Sequence, residues 1–266
     1  MDEVTGRDIT ETGEAGSAVL YLFSPDGHFV GRVSVTGEQI VHRAPVLLPV
    51  EALDRCHVST WTNAGAGQLF HSPAQGSGIE ERAVSLIEGE DTFHGTPDDL
   101  FFGHARLAPV GAAGPEVITL ARKNARMRIT VRGLDRRIPE DRYYLTVEIP
   151  NDGYDFVGNP IAGTARVRRT GAFHDNGDFS TDEAFNLIHT DPAVSPAGGV
   201  TVNLYEKALG RSADRLIASV TDDDGRPISL PAGRTVNLLI DLNEGEGLSV
   251  YTEITPWDEI YQWDIW

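Results

Sequence analysis

A single cysteine in 266 residues leaves no intrachain disulfide to form. Cys56 stands in the apolar stretch Cys56-His57-Val58-Ser59-Thr60-Trp61, where a small buried hydrophobe is expected rather than a reactive thiol. No apolar run approaches the ~20 residues that a membrane-spanning helix requires. Basic charge is scarce as well. Against 40 acids stand 22 lysines and arginines, a formal net charge of −18, and a field of that sign repels phosphate backbones and argues against nucleic acid as a partner. The motifs of common chemistries are missing: there is no G-x-S-x-G, H-E-x-x-H, G-x-x-x-x-G-K-S/T or C-x-x-C. The histidines, His28, His42, His57, His71, His94, His104, His174 and His189, neither pair at i, i+4 nor alternate along a strand. No catalytic residue, cofactor or metal is therefore expected. A glycosidase's pair of carboxylates would come from different strands and cannot be recognised by spacing among so many acids. The first 16 residues are acidic and rich in Gly and Thr, the opposite of a signal peptide, so either the protein is cytoplasmic or a targeting segment lies outside this sequence, and the motifs below favour the second.

What is present is turn chemistry and alternation. The 28 glycines and 15 prolines punctuate the chain too often for helical bundles and predict many short elements. Over residues 127–134, Met127, Ile129 and Val131 point one way and Arg128, Thr130 and Arg132 the other, as in a strand with one buried face. Tyr143, Leu145, Val147 and Ile149 repeat the pattern, and an antiparallel pair of these two segments is the simplest assembly. Further strands are predicted at residues 18–24, 29–36, 46–50, 56–62, 100–107 and 117–121, and at 164–168, 200–206, 216–221, 234–241, 248–254 and 260–266. Pro25-Asp26-Gly27, Asn176-Gly177 and Asp224-Gly225 are turn signals. Short helices are predicted at 79–87 and 181–188. The acidic runs Asp222-Asp223-Asp224-Gly225 and His174-Asp175-Asn176-Gly177-Asp178 lack the ligand alternation of a calcium loop and read as polar turns. The segment Gly111-Ala112-Ala113-Gly114-Pro115 has linker composition, so two β-sandwich domains are expected, residues 17–114 and 115–266.

The last ten residues hold Trp257, Trp263 and Trp266. A terminal strand so rich in aromatics either closes its own sandwich or pairs with a neighbouring subunit by β-augmentation. The second reading makes Tyr261, Trp263, Ile265 and Trp266 a candidate subunit-joining strand.

Several motifs, in order, resemble the fimbrillin superfamily of type V pili and its FimB-like anchor subunits. They are Tyr21-Leu22-Phe23-Ser24-Pro25-Asp26-Gly27-His28-Phe29-Val30, Val58-Ser59-Thr60-Trp61-Thr62-Asn63, Asp99-Leu100-Phe101-Phe102-Gly103, the strand from Leu120 to Val131, Gly153-Tyr154-Asp155-Phe156 and the closing region around Trp257. The resemblance spans residues 18–266 and implies an all-β chain of two transthyretin-like β-sandwich domains in tandem. It further implies a structural subunit of a cell-surface fimbria, foremost an anchor, that joins other pilins by strand addition. Export, and attachment to the outer membrane through an N-terminal lipidated cysteine, are implied too, but no such cysteine lies near Met1 in this sequence. A stalk or tip fimbrillin, or a carbohydrate-binding adhesin module of the same architecture, is the alternative. A β-rich enzyme is a third reading, which two close carboxylates in a cleft would support.

Overall fold

Alternating sequences become strands over most of the chain. The computed structural model describes residues 8, 10, 14–49, 55–63, 65, 67–107, 116–190, 198–210, 212–242 and 247–263. In chain order the elements are β1 (Ser17–Phe23), β2 (Phe29–Thr36), a short helix α1 (Gly37–Val41), β3 (Cys56–Thr62), β4 (Gln68–Phe70), β5 (Arg82–Leu86), β6 (Phe101–Leu107), β7 (Ala121–Arg122), β8 (Asn124–Arg132) and β9 (Tyr143–Asp155). There follow β10 (Pro160–Arg169), β11 (Gly171–Phe173), β12 (Phe179–Thr181), β13 (Phe185–Ile188), β14 (Thr201–Glu206), β15 (Arg215–Val220), β16 (Asp222–Asp223), β17 (Arg226–Pro227), β18 (Arg234–Asp241) and β19 (Ser249–Pro256). The chain is all-β, built as tandem β-sandwich domains.

Two compact units divide it: the described residues of Met1–Ile87, Pro97–Asn124 and Gly153–Ile161, and those of Glu88–Thr96, Ala125–Asp152 and Ala162–Trp266. The expected boundary at residues 114 and 115 lies outside the described residues. The first unit draws in strand β7 and the end of β9 from beyond it.

In the first unit one sheet runs β2-β1-β3-β6-β7. Strand β1, second from one edge and paired on both sides, is buried on both faces over Leu20–Phe23. Leu20 and Leu22 pack with Val35, Cys56 and Val58 on one side. On the other, Tyr21 and Phe23 meet Phe156 at 4.8 and 5.2 Å between ring centroids. The β4–β5 hairpin and Gly153–Asp155 of β9 form the facing layer, where Trp61 packs against Phe70 and Tyr154. Gly153 lets the layer close, since a Cβ there would lie 2.2 Å from the Val84 carbonyl oxygen. In the second unit one sheet runs β11-β12-β8-β18-β19, with β13 also on β8, and β18 lies parallel to β8. Met127, Ile129 and Val131 sit beside Val236, Leu238 and Ile240 in register and all are buried. Leu145 and Val147 of β9 and Val202 and Leu204 of β14 are buried in the second layer.

The turn signals fold as turns. Gly27, Gly177 and Gly225 adopt φ of 78°, 95° and 77°, the left-handed region that glycine enters without cost. Four expectations change. Segments β8 and β9 do not pair with each other; they lie in different sheets, because the connection between them crosses from one layer to the other. Alternation shows which face is buried but not which strand is the neighbour. Residues 79–87 hold strand β5, and residues 181–188 hold the end of β12 and all of β13, rather than helices. Short apolar runs are ambiguous by period, and hairpin pairing of Phe70 with Val84 and Gln68 with Leu86 decides the first case. Residues 46–49 are not a strand, and Val50 lies outside the described residues. The predicted strand at 117–121 contracts to β7.

Candidate functional site

Most motif residues of the sequence turn out to be struts of the first unit; those at 125–131 and around Trp257 belong to the second. Trp61 is fully buried against Phe102 and Tyr154, at 4.7 and 5.2 Å between centroids. The Tyr154 hydroxyl donates to the Lys123 carbonyl at 2.9 Å. Asn63, at φ 60°, accepts from the Gly16 N–H and donates to the carbonyls of Glu14 and Asp99. Asp99 and Glu14 clamp the buried Arg122 guanidinium, which also lies over the Phe101 ring at 4.7 Å. Asp155 accepts from the N–H groups of Val157 and Asn159 and closes the turn at Gly158. Cys56 is buried, and burial pushes its thiol up from the usual range. Among the described residues no three His, Cys, Asp or Glu side chains gather as metal ligands. The acidic runs serve turns and ion pairs: Asp222 accepts from Gly225 N–H, and Asp178 takes the Arg132 guanidinium on both oxygens.

One of the sheet edges among the described residues is the strand β19. It pairs with β18 from Ser249 opposite Asp241 to Pro256 opposite Arg234, and it ends its sheet. Tyr251 is 42% and Ile254 48% exposed. The Thr252 N–H donates to Asp223 Oδ2 at 3.0 Å, so it faces away from β18. In an antiparallel ladder the same direction recurs two residues away, which turns the N–H groups of Val250 and Ile254 outward. Asp223, on the small β16–β17 hairpin, thus covers the middle of the edge and also accepts from the Thr252 hydroxyl.

Past β19 the chain folds back over the β18–β19 pair. Trp257 is buried beneath the Arg126 guanidinium, 5.1 Å from its ring, and its carbonyl accepts from the Thr235 hydroxyl. The Thr255 hydroxyl donates to the Glu259 carbonyl, and the Tyr261 N–H donates to Asn237 Oδ1 at 3.1 Å. Tyr261 and Trp263 stand edge to face at 4.9 Å, with Trp263 6.5 Å from Tyr251. The predicted terminal strand is corrected to this extent: residues 260–263 join no sheet, because their contacts are made by side chains lying over β18 and β19. Ile265 and Trp266 lie outside the described residues. Sequence reasoning named Tyr261 and Trp263; the structure sets Tyr251, Thr252, Ile254 and Asp223 beside them. The apolar positions of 248–254 were the available signal; the Asp223 contact joins separate segments and left none.

Comparison with known proteins points one way. The sequence model of the fimbrillin-A associated anchor proteins Mfa1 and Mfa2 matches residues 1–263. The major fimbrium anchoring subunit FimB of Porphyromonas gingivalis is 25% identical over 269 residues, a match covering 97% of this chain and 84% of the relative. The fimbrial anchor protein Mfa2 from Porphyromonas gingivalis superposes with a TM-score of 0.66 over 92% of this chain and 90% of its own, at 14% identity, a likeness of fold.

Proposed function

Because the chain belongs to the family of fimbrillin-A associated anchor proteins Mfa1 and Mfa2, we propose that it holds a fimbria at the cell surface by β-strand addition along β19 and the aromatic tail beyond it. The protein is a structural subunit of a fimbria, in the anchoring role, and associates with other fimbrial subunits. The observation that carries the joining mode is the outer edge of β19, an eight-residue ladder strand with exposed Tyr251 and Ile254. Such an edge is a template on which another chain's backbone can add rungs while alternate side chains set register. Tyr261 and Trp263 lie beside that edge, and with Ile265 and Trp266, which follow them in sequence, they are the residues that stack on an incoming strand or join it. Attachment to the outer membrane runs through an N-terminal lipid.

Two variants test the joining mode. Deleting residues 261–266 removes the tail. Val250→Pro removes one outward N–H, and it leaves the pairing with β18 intact because proline is tolerated where the strand's N–H faces outward. Each is expected to weaken capture of a purified fimbrillin subunit about tenfold or more in surface plasmon resonance, a loss of roughly 1.4 kcal/mol, with little change in melting temperature. Undiminished capture by both variants would remove β19 and the tail from the joining surface.

A further inference from the structure

The second unit contains a cleft of about 690 Å³, a size suited to one or two small rings. Its walls carry three guanidinium groups, Arg126 from β8 and Arg168 and Arg169 from β10. Several arginines of this acidic chain hold carboxylates: Arg132, Arg142, Arg166 and Arg215 each have one within 3.1 Å. Among the described residues Arg126 and Arg169 in the cleft have none. Arg126 donates to the main-chain carbonyls of Trp257 and Ala184, at 3.3 and 3.4 Å, and its Nε is buried without a hydrogen-bond partner among the described residues. Arg169 lies over the Phe185 ring at 4.8 Å, and its Nε is likewise buried and unpartnered. Burial alone pushes the Arg169 guanidinium down from its usual value, with no acid acting to raise it. Arg168 is sandwiched at the mouth by Tyr144, at 4.0 Å, and Phe93, at 5.6 Å, within the field of Asp214. An unpaired, partly desolvated cation is costly to keep in a folded protein unless something pairs with it.

We propose that this cleft binds the carboxylate of an acidic sugar. Arg169 and Arg126 supply planar N–H forks that match a carboxylate. Thr96 and Thr170 line the same cleft and offer hydroxyls to a polyhydroxylated ring. The exposed carboxylates of Asp182 and Glu183 at its rim accept from sugar hydroxyls and repel a second negative charge. The net charge of −18 works in the same direction, against polyanions and in favour of a ligand whose single charge is set among hydroxyl groups.

The test is a titration of the full chain, followed by NMR or calorimetry, with 3′-sialyllactose and galacturonate, each carrying one carboxylate, against neutral lactose and a Glu-rich peptide. Saturable binding of an acidic sugar, with lactose bound at least about tenfold more weakly and the affinity falling with salt, is expected. Arg169→Gln and Arg126→Gln should each lower that affinity about tenfold, and Arg169→Lys should not restore it, because a point charge lacks the fork. Arg169→Met should lose binding yet melt at the same or a higher temperature, which separates an unpaired ligand-binding cation from a structural one. Equal binding of lactose, preference for the peptide, absence of saturation, or unchanged affinity in Arg169→Gln would each overturn the proposal.

Discussion

Gly158 shows how tightly single residues are fixed in the first unit. Its φ is 87°, and a Cβ placed there would lie 2.5 Å from Cε1 of the Phe102 ring, which itself packs on Trp61. Gly158→Ala therefore combines a strained backbone with overpacking and should cost about 2–3 kcal/mol in urea unfolding. A cost under half a kcal/mol would show that the aromatic stack gives way readily. A second residue-scale effect depends on pH. His57 and His104 stack across β3 and β6 at 5.5 Å, with Nδ1 and Nε2 3.4 Å apart. Burial first, then His57 and Arg106, pushes His104 below its ordinary value of 6.5. The unfolded chain thus takes up this proton at a higher pH than the native one does. The stabilisation is complete above 6.5 and is lost as the pH falls through the lower native value. Comparing melting temperatures at neutral and mildly acidic pH, His104→Gln should reduce the acid-induced drop seen with the parent chain. An identical drop in both would assign the acid sensitivity elsewhere.

At the scale of elements, the edge strand β19 is held in check by one side chain. Asp223 takes the outward N–H and the hydroxyl of Thr252, so an incoming strand must displace a carboxylate before it can zip along the edge. Asp223→Ala should leave the fold intact, and it should expose the edge as a concentration-dependent dimer in light scattering or as faster capture of a fimbrillin subunit. A variant that stays monomeric and captures at the parent rate would mean that the edge is not where strands add. Sequence alone read this region unevenly. Residues 234–241 announced themselves by the alternation of Val236, Leu238 and Ile240 with Thr235, Asn237 and Asp241, and β18 is nonetheless buried on both faces along almost its whole length. The same pattern at Met127–Val131 and Tyr143–Ile149 was read correctly as two strands but wrongly as a pair, since partner choice depends on connections across the core. The tail misled for a related reason. Alternating Tyr261 and Trp263 looks like a strand, yet both rings pack against each other and Tyr251 without a ladder. Asp223 was legible only as part of an acidic turn.

For the whole molecule, the important fact is that the compact units are not consecutive stretches of chain. The fimbrillin-like motifs were visible as short aromatic, turn and strand segments, most of them in the first unit and two, the end of the strand at Val131 and the region around Trp257, in the second, but their spacing does not tell which later segments return to complete a unit. Tyr21, Phe23 and Trp61 all precede residue 114, while Phe156 and Tyr154, which cover them, come some forty residues after it. Arg122, the cation between Glu14 and Asp99, also lies past that point. Burying a large aromatic side chain contributes about 1.5–3 kcal/mol, and the whole stability of a domain is only about 5–15 kcal/mol. A fragment of residues 1–114 lacks two such rings, the β7 rung and the partner of a buried ion pair. It should therefore give a broad, non-cooperative urea transition and bind a hydrophobic dye, while the full chain unfolds sharply. If that fragment instead melted as cooperatively as the full chain, residues 17–114 would be a self-sufficient domain, and the returning segment 153–161 would be an addition to its surface rather than a part of its core.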